Sequence, residues 1–339
     1  MNTTSGSHFA AVRWLPRLAR PRARLLVGLV AVVFATGVWL GLASFALAIN
    51  IDGIEYAVLG IGGNASVSSK FEIYQSATVI NGNVGEGPYT LVTHGIDATI
   101  NGTWYFDSAT DNCSGKPCGA DTSTQVAVTG TVTGGFVAKN MAPVVAAAIG
   151  ASTTYAGLVP TQTFSTLTDG QTITGGAGQN VIKITGAVGI SGGGTTLTIN
   201  SPAGSKVIFQ FTGTGTTKNI LTLSGTTMFL TGGITAGDIV WDFNGASFDN
   251  NKSDITISSG ATVYGTFLGP DQSITVDHGN SLGEVIGGGD GGFVSIHSSS
   301  QITAPPTTPV PEPITMFLGG TGLLALGYAA RKRLFSRSV

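Results

Sequence analysis

The chain has 339 residues, 51 of them glycine, with 16 Lys+Arg against 18 Asp+Glu for a formal net charge of -2. Charged residues make up 10% of it, against roughly 25% in an ordinary soluble domain. That composition excludes a charge-rich disordered chain, since 42% is hydrophobic, and it excludes a Lys/Glu-rich helical bundle, a basic nucleic-acid binder and, for want of a three-residue glycine period, collagen.

The charge is unevenly placed. All arginines lie in two terminal blocks, Arg13 to Arg24 and Arg331 to Arg337, leaving seven lysines and all 18 acids between Ile49 and Pro313. From Leu25 to Ala48 no residue is charged, and the run ends Ala46-Leu47-Ala48, an A-x-A pattern that signal peptidase accepts. The pattern predicts a secretory signal over 1–48, cut after Ala48. No adjacent arginine pair precedes it, which favours the general secretory route. An uncleaved anchor is the alternative, because 24 uncharged residues are long enough to span a bilayer.

The passenger, residues 49–303, is β-branched and punctuated by glycine. Short runs recur at Ala77 to Ile80, Gln125 to Val128, Val181 to Thr185, Thr195 to Ile199, Val207 to Phe211, Ile220 to Leu223, Ile255 to Ile257 and Ser273 to Val276. Each lasts three to five residues and is followed by Gly, Asn or Asp, which predicts an all-β sandwich, barrel or solenoid. Thr alternates with Leu and Ile in Thr196-Leu197-Thr198-Ile199, favouring a solenoid with an apolar core and a hydroxyl-rich exterior. A two-sheet sandwich has the same alternation.

Cys113 and Cys118 are the only cysteines. In an exported chain they are expected to form a local disulfide rather than a metal or redox site. Residues 140–158 hold the densest alanine cluster of the passenger, predicting one helix with Asn140 as cap, Pro143 in the first turn and an apolar face of Val144, Ala148 and Ala151.

The chemistry-bearing residues are sparse. There is no H-E-x-x-H and no phosphate loop, and no catalytic residue or cofactor is nominated. Asp238 and Asp242 lie four apart, but scattered aspartates usually end strands and turns. The glycine loop around Asp290 hints at calcium in a single copy only. His278 reads as a turn residue and His297 as solvent-facing; with His94 they make no obvious metal set. Trp104-Tyr105-Phe106 fits core packing better than a carbohydrate platform.

The C-terminal region carries a clearer signal. A Pro/Thr linker, 304–313, contains Val310-Pro311-Glu312-Pro313; an uncharged stretch from Ile314 to Ala330 follows, then Arg331-Lys332-Arg333. This order resembles the PEP-CTERM sorting signal of Gram-negative bacteria. The resemblance implies a transmembrane sorting helix within 314–339, recognition by an exosortase, cleavage near Pro311-Glu312-Pro313, and passage from the inner membrane to the outer surface or extracellular matrix. A simple single-pass anchor is the alternative reading of that stretch.

The passenger also has a family likeness. Val58-Leu59-Gly60, Asn81-Gly82-Asn83-Val84-Gly85, the helix, Val207-Ile208-Phe209-Gln210-Phe211, Asp238 to Phe243 and Thr262 to Pro270 occur in that order. The order resembles the ice-binding β-solenoid family and the choice-of-anchor A family of bacterial surface proteins. It implies an irregular right-handed β-solenoid of triangular section with one helix packed alongside. The expected function is a non-enzymatic surface or matrix protein touching exopolysaccharide; the alternative is ice binding.

Overall fold

The computed structural model describes residues 50–51, 53–94, 96–118, 126–215, 219–244, 247–248, 254–289 and 291–305. The predicted signal with Ala46 and Ala48, the sorting motif Val310 to Pro313, the terminal helix and Arg331, Lys332 and Arg333 lie outside the described residues.

The described residues wind into a three-faced β-solenoid. The first face is a run of ten parallel strands, in spatial order Phe136–Lys139, Trp104–Asp107, Asn83–Glu86, Ile54–Gly60, Val285–Gly287, Thr266–Gly269, Ile239–Asp242, Lys206–Phe211, Gln179–Ile184 and Gln162–Phe164. The second and third faces join as one 14-stranded sheet. They join because Val188–Asn200 and Asn219–Thr231 each run round a corner without breaking. At that corner Gly192, Gly194 and Gly225 have φ of 130°, 85° and 63°, values that a β-branched residue adopts only with strain. These two 13-residue strands correct the expectation of runs of three to five residues. The Gln125 to Val128 run is corrected too. Its one recorded pairing is an isolated bridge from Val128 to Ile96, and Gln125 lies outside the described residues.

Spatial order departs from chain order. The chain starts mid-stack and builds outward to Phe136–Lys139. It then resumes at the far end with Gln162–Phe164 and builds back until its last coil meets its first on all three faces. The helix, Ala142–Ala156, makes the return trip. Nine strand spacings of about 4.8 Å set a span of about 43 Å. The 15-residue helix covers about 22 Å of it, and the residues on either side supply the remainder at up to about 3.3 Å each.

The core follows from the alternation. Phe209, Trp241 and Phe267 stack on neighbouring coils, with centroids 4.0 and 5.7 Å apart. Trp241 Nε1 donates to the Tyr264 carbonyl at 2.9 Å. Trp104 and Phe106 are fully buried, with Trp104 Nε1 donating to Glu86 Oε2 at 2.9 Å, so this triplet serves the core as expected.

The helix is two residues shorter at each end than the expected 140–158. Its cap position is Met141, whose N–H is accepted by Asp107 of the neighbouring coil, while Asn140 Oδ1 accepts the Ala142 N–H. Val144, Ala148 and Ser152, four apart, form the buried stripe; Ala151 is half-buried, because the strict four-residue spacing points Ser152 at the sheet. Gly157 ends the helix ahead of Pro160.

Cys113 and Cys118 are joined in the structure, their Cα atoms 5.1 Å apart. The closed loop is short, so replacing both by Ser is expected to cost about 2 kcal/mol of stability. A urea titration of the double variant against the parent checks this.

Candidate functional site

A solenoid presents its chemistry on its outward faces, and the first face is closed. The helix covers Leu59, Ile208, Val240, Leu268 and Ile286 with Val144 and Ala148. Beneath it lies a buried polar layer. Ser152 Oγ donates to Asp242 Oδ1 at 2.5 Å, and Thr266 Oγ1 donates to Glu284 Oε2 at 2.9 Å. Gln210 Nε2 donates to the carbonyls of Tyr155 and Leu158, occupying acceptors that a helix end leaves open. Burial pushes the Asp242 carboxyl up to about 7, and burial with the nearby Glu284 and Asp242 pushes Tyr155 up to about 12.

The second face is open. Thr222, Thr256, Thr275 and Ser295 stand in register on four successive coils. The next position is Glu72. Glu72 Oε2 accepts from Ser295 at 3.0 Å, and its Oε1 accepts from Thr93. The neighbouring column runs Ser191, Ser224, Ser258, Asp277 and His297. Tyr74 is sandwiched between His94 and His297, with centroids at 4.6 and 5.0 Å. His297 is thus half-buried in a ring stack, which corrects its expected solvent-facing place: Tyr74 of the first coil covers it. His278 is the expected turn residue, with φ 54°, and its Nδ1 lies 2.7 Å from Asp277. Burial alone would raise Asp277, but Ser298, His278 and His297 hold it below the usual carboxylate range. Tyr74 stands between His94 and His297, and among the described residues no group of three or more His, Cys, Asp or Glu is placed to hold a metal ion.

The third face is also open and differs in character. One outward column passes in register through Thr196, Thr227, Thr262, Asn280, Gln301, Val79, Thr99 and Thr131. The parallel column holds Thr172, Thr198, Phe229, Tyr264, Leu282, Thr303 and Asn81, and Asn101 continues it. Their inward neighbours, such as Leu197, Met228, Val263 and Ile302, fill the core. No single run of sequence marks this surface, because each coil contributes only two or three outward residues to it.

Asp238 and Asp242 do not face each other. Asp238 closes the short turn Ala236–Asp238, accepting from Thr235 and from Lys206 Nζ at 2.6 Å. Burial alone would raise its carboxyl, but these bonds hold it low. Asp242 points to the helix. Asp290 lies outside the described residues. Gly189-Ile190-Ser191-Gly192-Gly193 and Gly279-Asn280-Ser281-Leu282-Gly283 both have the spacing of a nucleophile elbow. Ser191 sits exposed inside the strand Val188–Asn200 and Ser281 buried inside the strand Asn280–Leu282, neither on a strand-to-helix turn.

Comparison with known proteins adds the following. Residues 55–292 match the family model described as "Putative Ice-binding-like adhesive domain", and residues 309–333 match the PEP-CTERM protein-sorting motif. No curated protein matches the chain. Among solved structures, an ice-binding protein from an Antarctic biological consortium is similar at TM-score 0.50 and 18% identity, covering 74% of this chain and 88% of that one. An ice-binding protein from the Antarctic ascomycete Antarctomyces psychrotrophicus aligns at 0.48 and 18%, covering 78% and 98%. The ice-binding protein domain of Shewanella frigidimarina aligns at 0.43 and 15%, covering 74% and 95%. At these identities the likeness concerns the fold.

Proposed function

The chain belongs to the ice-binding-like adhesive domain family, and from that premise we propose that it is a non-enzymatic surface adhesin whose open solenoid faces contact extracellular polysaccharide in a biofilm or matrix. It carries the sorting motif of exported, exosortase-sorted proteins of Gram-negative bacteria. Under this reading signal peptidase acts after Ala48 and exosortase near Pro311-Glu312-Pro313, with Arg331, Lys332 and Arg333 retained on the cytoplasmic side until then.

One observation carries the choice of polysaccharide. The hydroxyl ladder of the second face runs for four coils and then breaks at Glu72, and its neighbour breaks at Asp277. A contact surface of mixed hydroxyls, carboxylates and rings suits a heterogeneous polymer better than a crystal lattice. Deleting the gene is expected to reduce flocculation and surface adhesion, and complementation to restore them; unchanged adhesion and matrix composition would remove the support for this reading. The four-coil Thr/Ser ladder itself favours a second reading, ice binding. Thermal hysteresis by the purified protein would establish that alternative, and none is expected.

A further inference from the structure

The two columns of the third face are free of charge, and the exposed Asp169 carboxylate at one end accepts the Thr196 N–H. Among its described outward residues, both columns consist of hydroxyl, amide and apolar side chains. The body around it holds seven lysines and 18 acids between Ile49 and Pro313, and the second face bears Glu72, Asp277 and the imidazoles. Ionic polymers are steered and held by opposite charge. The columns themselves offer a polyanion nothing to pair with, and a polycation nothing either.

Within the face, Tyr264 and Leu282 pair on successive coils, and Phe229, two residues past Thr227 as Tyr264 is two past Thr262, continues the column; Phe229 is 48% and Leu282 39% exposed, while Tyr264 is half-buried and packs partly on the core. At about 4.8 Å per coil the ridge is about 10 Å long. Beside it run Thr227, Thr262 and Asn280. Beyond it Asn101 Nδ2 donates to Asn81 Oδ1 at 2.8 Å and Asn81 Nδ2 donates to Thr303 Oγ1 at 3.1 Å, so these polar groups are already ordered before any ligand arrives. An apolar ridge with a row of hydroxyls and amides alongside complements a sugar, which has C–H faces to lay on rings and aliphatic chains and hydroxyls around its rim. A surface that repeats once per coil suits a polymer that repeats along its length. The larger ridge side chains also interrupt the Thr rows, which spoils the regular array that a lattice would need.

We propose that the third face binds an uncharged, unbranched glycan laid along the solenoid axis, its sugar rings on the Phe229–Tyr264–Leu282 ridge and its hydroxyls on the Thr227–Thr262–Asn280 row. The proposal rests on the polysaccharide reading above and names the surface and the ligand class.

The test is co-sedimentation of the full chain, kept in detergent, with microcrystalline cellulose as the neutral probe, alginate beads as the anionic one, and ice in a parallel arm. Retention on cellulose is expected to survive molar salt. The triple substitution Phe229→Ala, Tyr264→Ala, Leu282→Ala is expected to weaken it about tenfold or more. The change Val159→Ser, in the exposed segment after the helix, is expected to leave it unchanged. Circular dichroism reports whether each variant folds, and if the triple variant does not, the single exposed change Leu282→Asn gives the readout at about threefold. Equal retention of the ridge variant and the parent would overturn the proposal. So would an equal loss through Val159→Ser, binding to alginate or ice alone, or no retention on cellulose. Cell fractionation separates this from the wider reading. Matrix association that persists in the ridge variant removes the glycan site and leaves the adhesin. A protein absent from the matrix that still needs the ridge for cellulose does the reverse.

Discussion

Asp242→Asn is expected to stabilise the fold at about pH 8 and, at about pH 5, to leave it unchanged or weaken it by up to about 2 kcal/mol, because the native carboxyl is buried against the helix and burial raises it to about 7. A carboxyl raised on folding is protonated in the native state while the unfolded chain has already ionised. The native state therefore loses stability as pH rises from about 4 to about 7 and stays at the lower level above that. Three units correspond to roughly 4 kcal/mol in all, of which about 3 kcal/mol falls between pH 5 and pH 8. The Asn amide keeps an acceptor for Ser152 and does not ionise, but its N–H groups arrive where Asp242 Oδ2 has no hydrogen-bond partner. An unsatisfied donor costs about 1–3 kcal/mol, so the net gain at pH 8 is expected to be about 1–3 kcal/mol. Urea unfolding of parent and variant at the two pH values measures it. A variant whose pH slope matches the parent's would show that Asp242 stays ionised under the helix.

Asp242 does not act alone. Burial also raises Glu86 well above its ordinary value, with the Asp111 and Asp107 charges adding to it, and raises Asp111 to about 7. All three push in one direction, so the parent is expected to be more stable in mild acid than at pH 8. Asp238 and Asp277 run the other way: their carboxyls are lowered on folding, and the stability they supply is lost as pH falls through their native values, below about 4. The optimum is therefore expected between about pH 4 and pH 6.

The same burial explains what a reader of the sequence could and could not see. Local patterns survived folding. Val181 to Thr185, Val207 to Phe211 and Ser273 to Val276 all lie in strands, give or take a residue, and the alanine cluster is the helix. These features depend on neighbours in the chain. The return of the last coil onto the first does not: Ile296 pairs with Ile73, and Ile302 with Ile80, more than two hundred residues away. Nothing near Ile73 encodes its partner, since any β-branched strand would pair as well. The third-face ridge is hidden for the same reason, its three side chains being spread over Phe229, Tyr264 and Leu282. Ser152 reads as a weak helix residue and acquires its role only from Asp242, 90 positions on.

Trp241→Ala is expected to be the most damaging single change, lowering stability by about 3–5 kcal/mol. Trp241 is fully buried, lies 4.0 Å from the Phe209 ring centroid and 5.7 Å from that of Phe267, and donates its N–H to the Tyr264 carbonyl. Truncation removes the stacking, opens a cavity that two rings on neighbouring coils cannot both collapse into, and leaves a carbonyl without that donor. Trp241→Phe keeps a ring and loses only the donor, so its cost should be smaller, about 1–3 kcal/mol. The shape of the transition is as informative as its midpoint. In a solenoid stability passes from coil to coil, and the coils from Ile54 to Lys139 reach the rest of the stack through their seam with Val285–Gly287, Phe293–His297 and Gln301–Thr303. Weakening the series that ends in those strands should therefore bring down both halves together, as a single urea transition shifted to lower denaturant. Two separate transitions in the Trp241→Ala variant would show instead that the first coils stand without the seam.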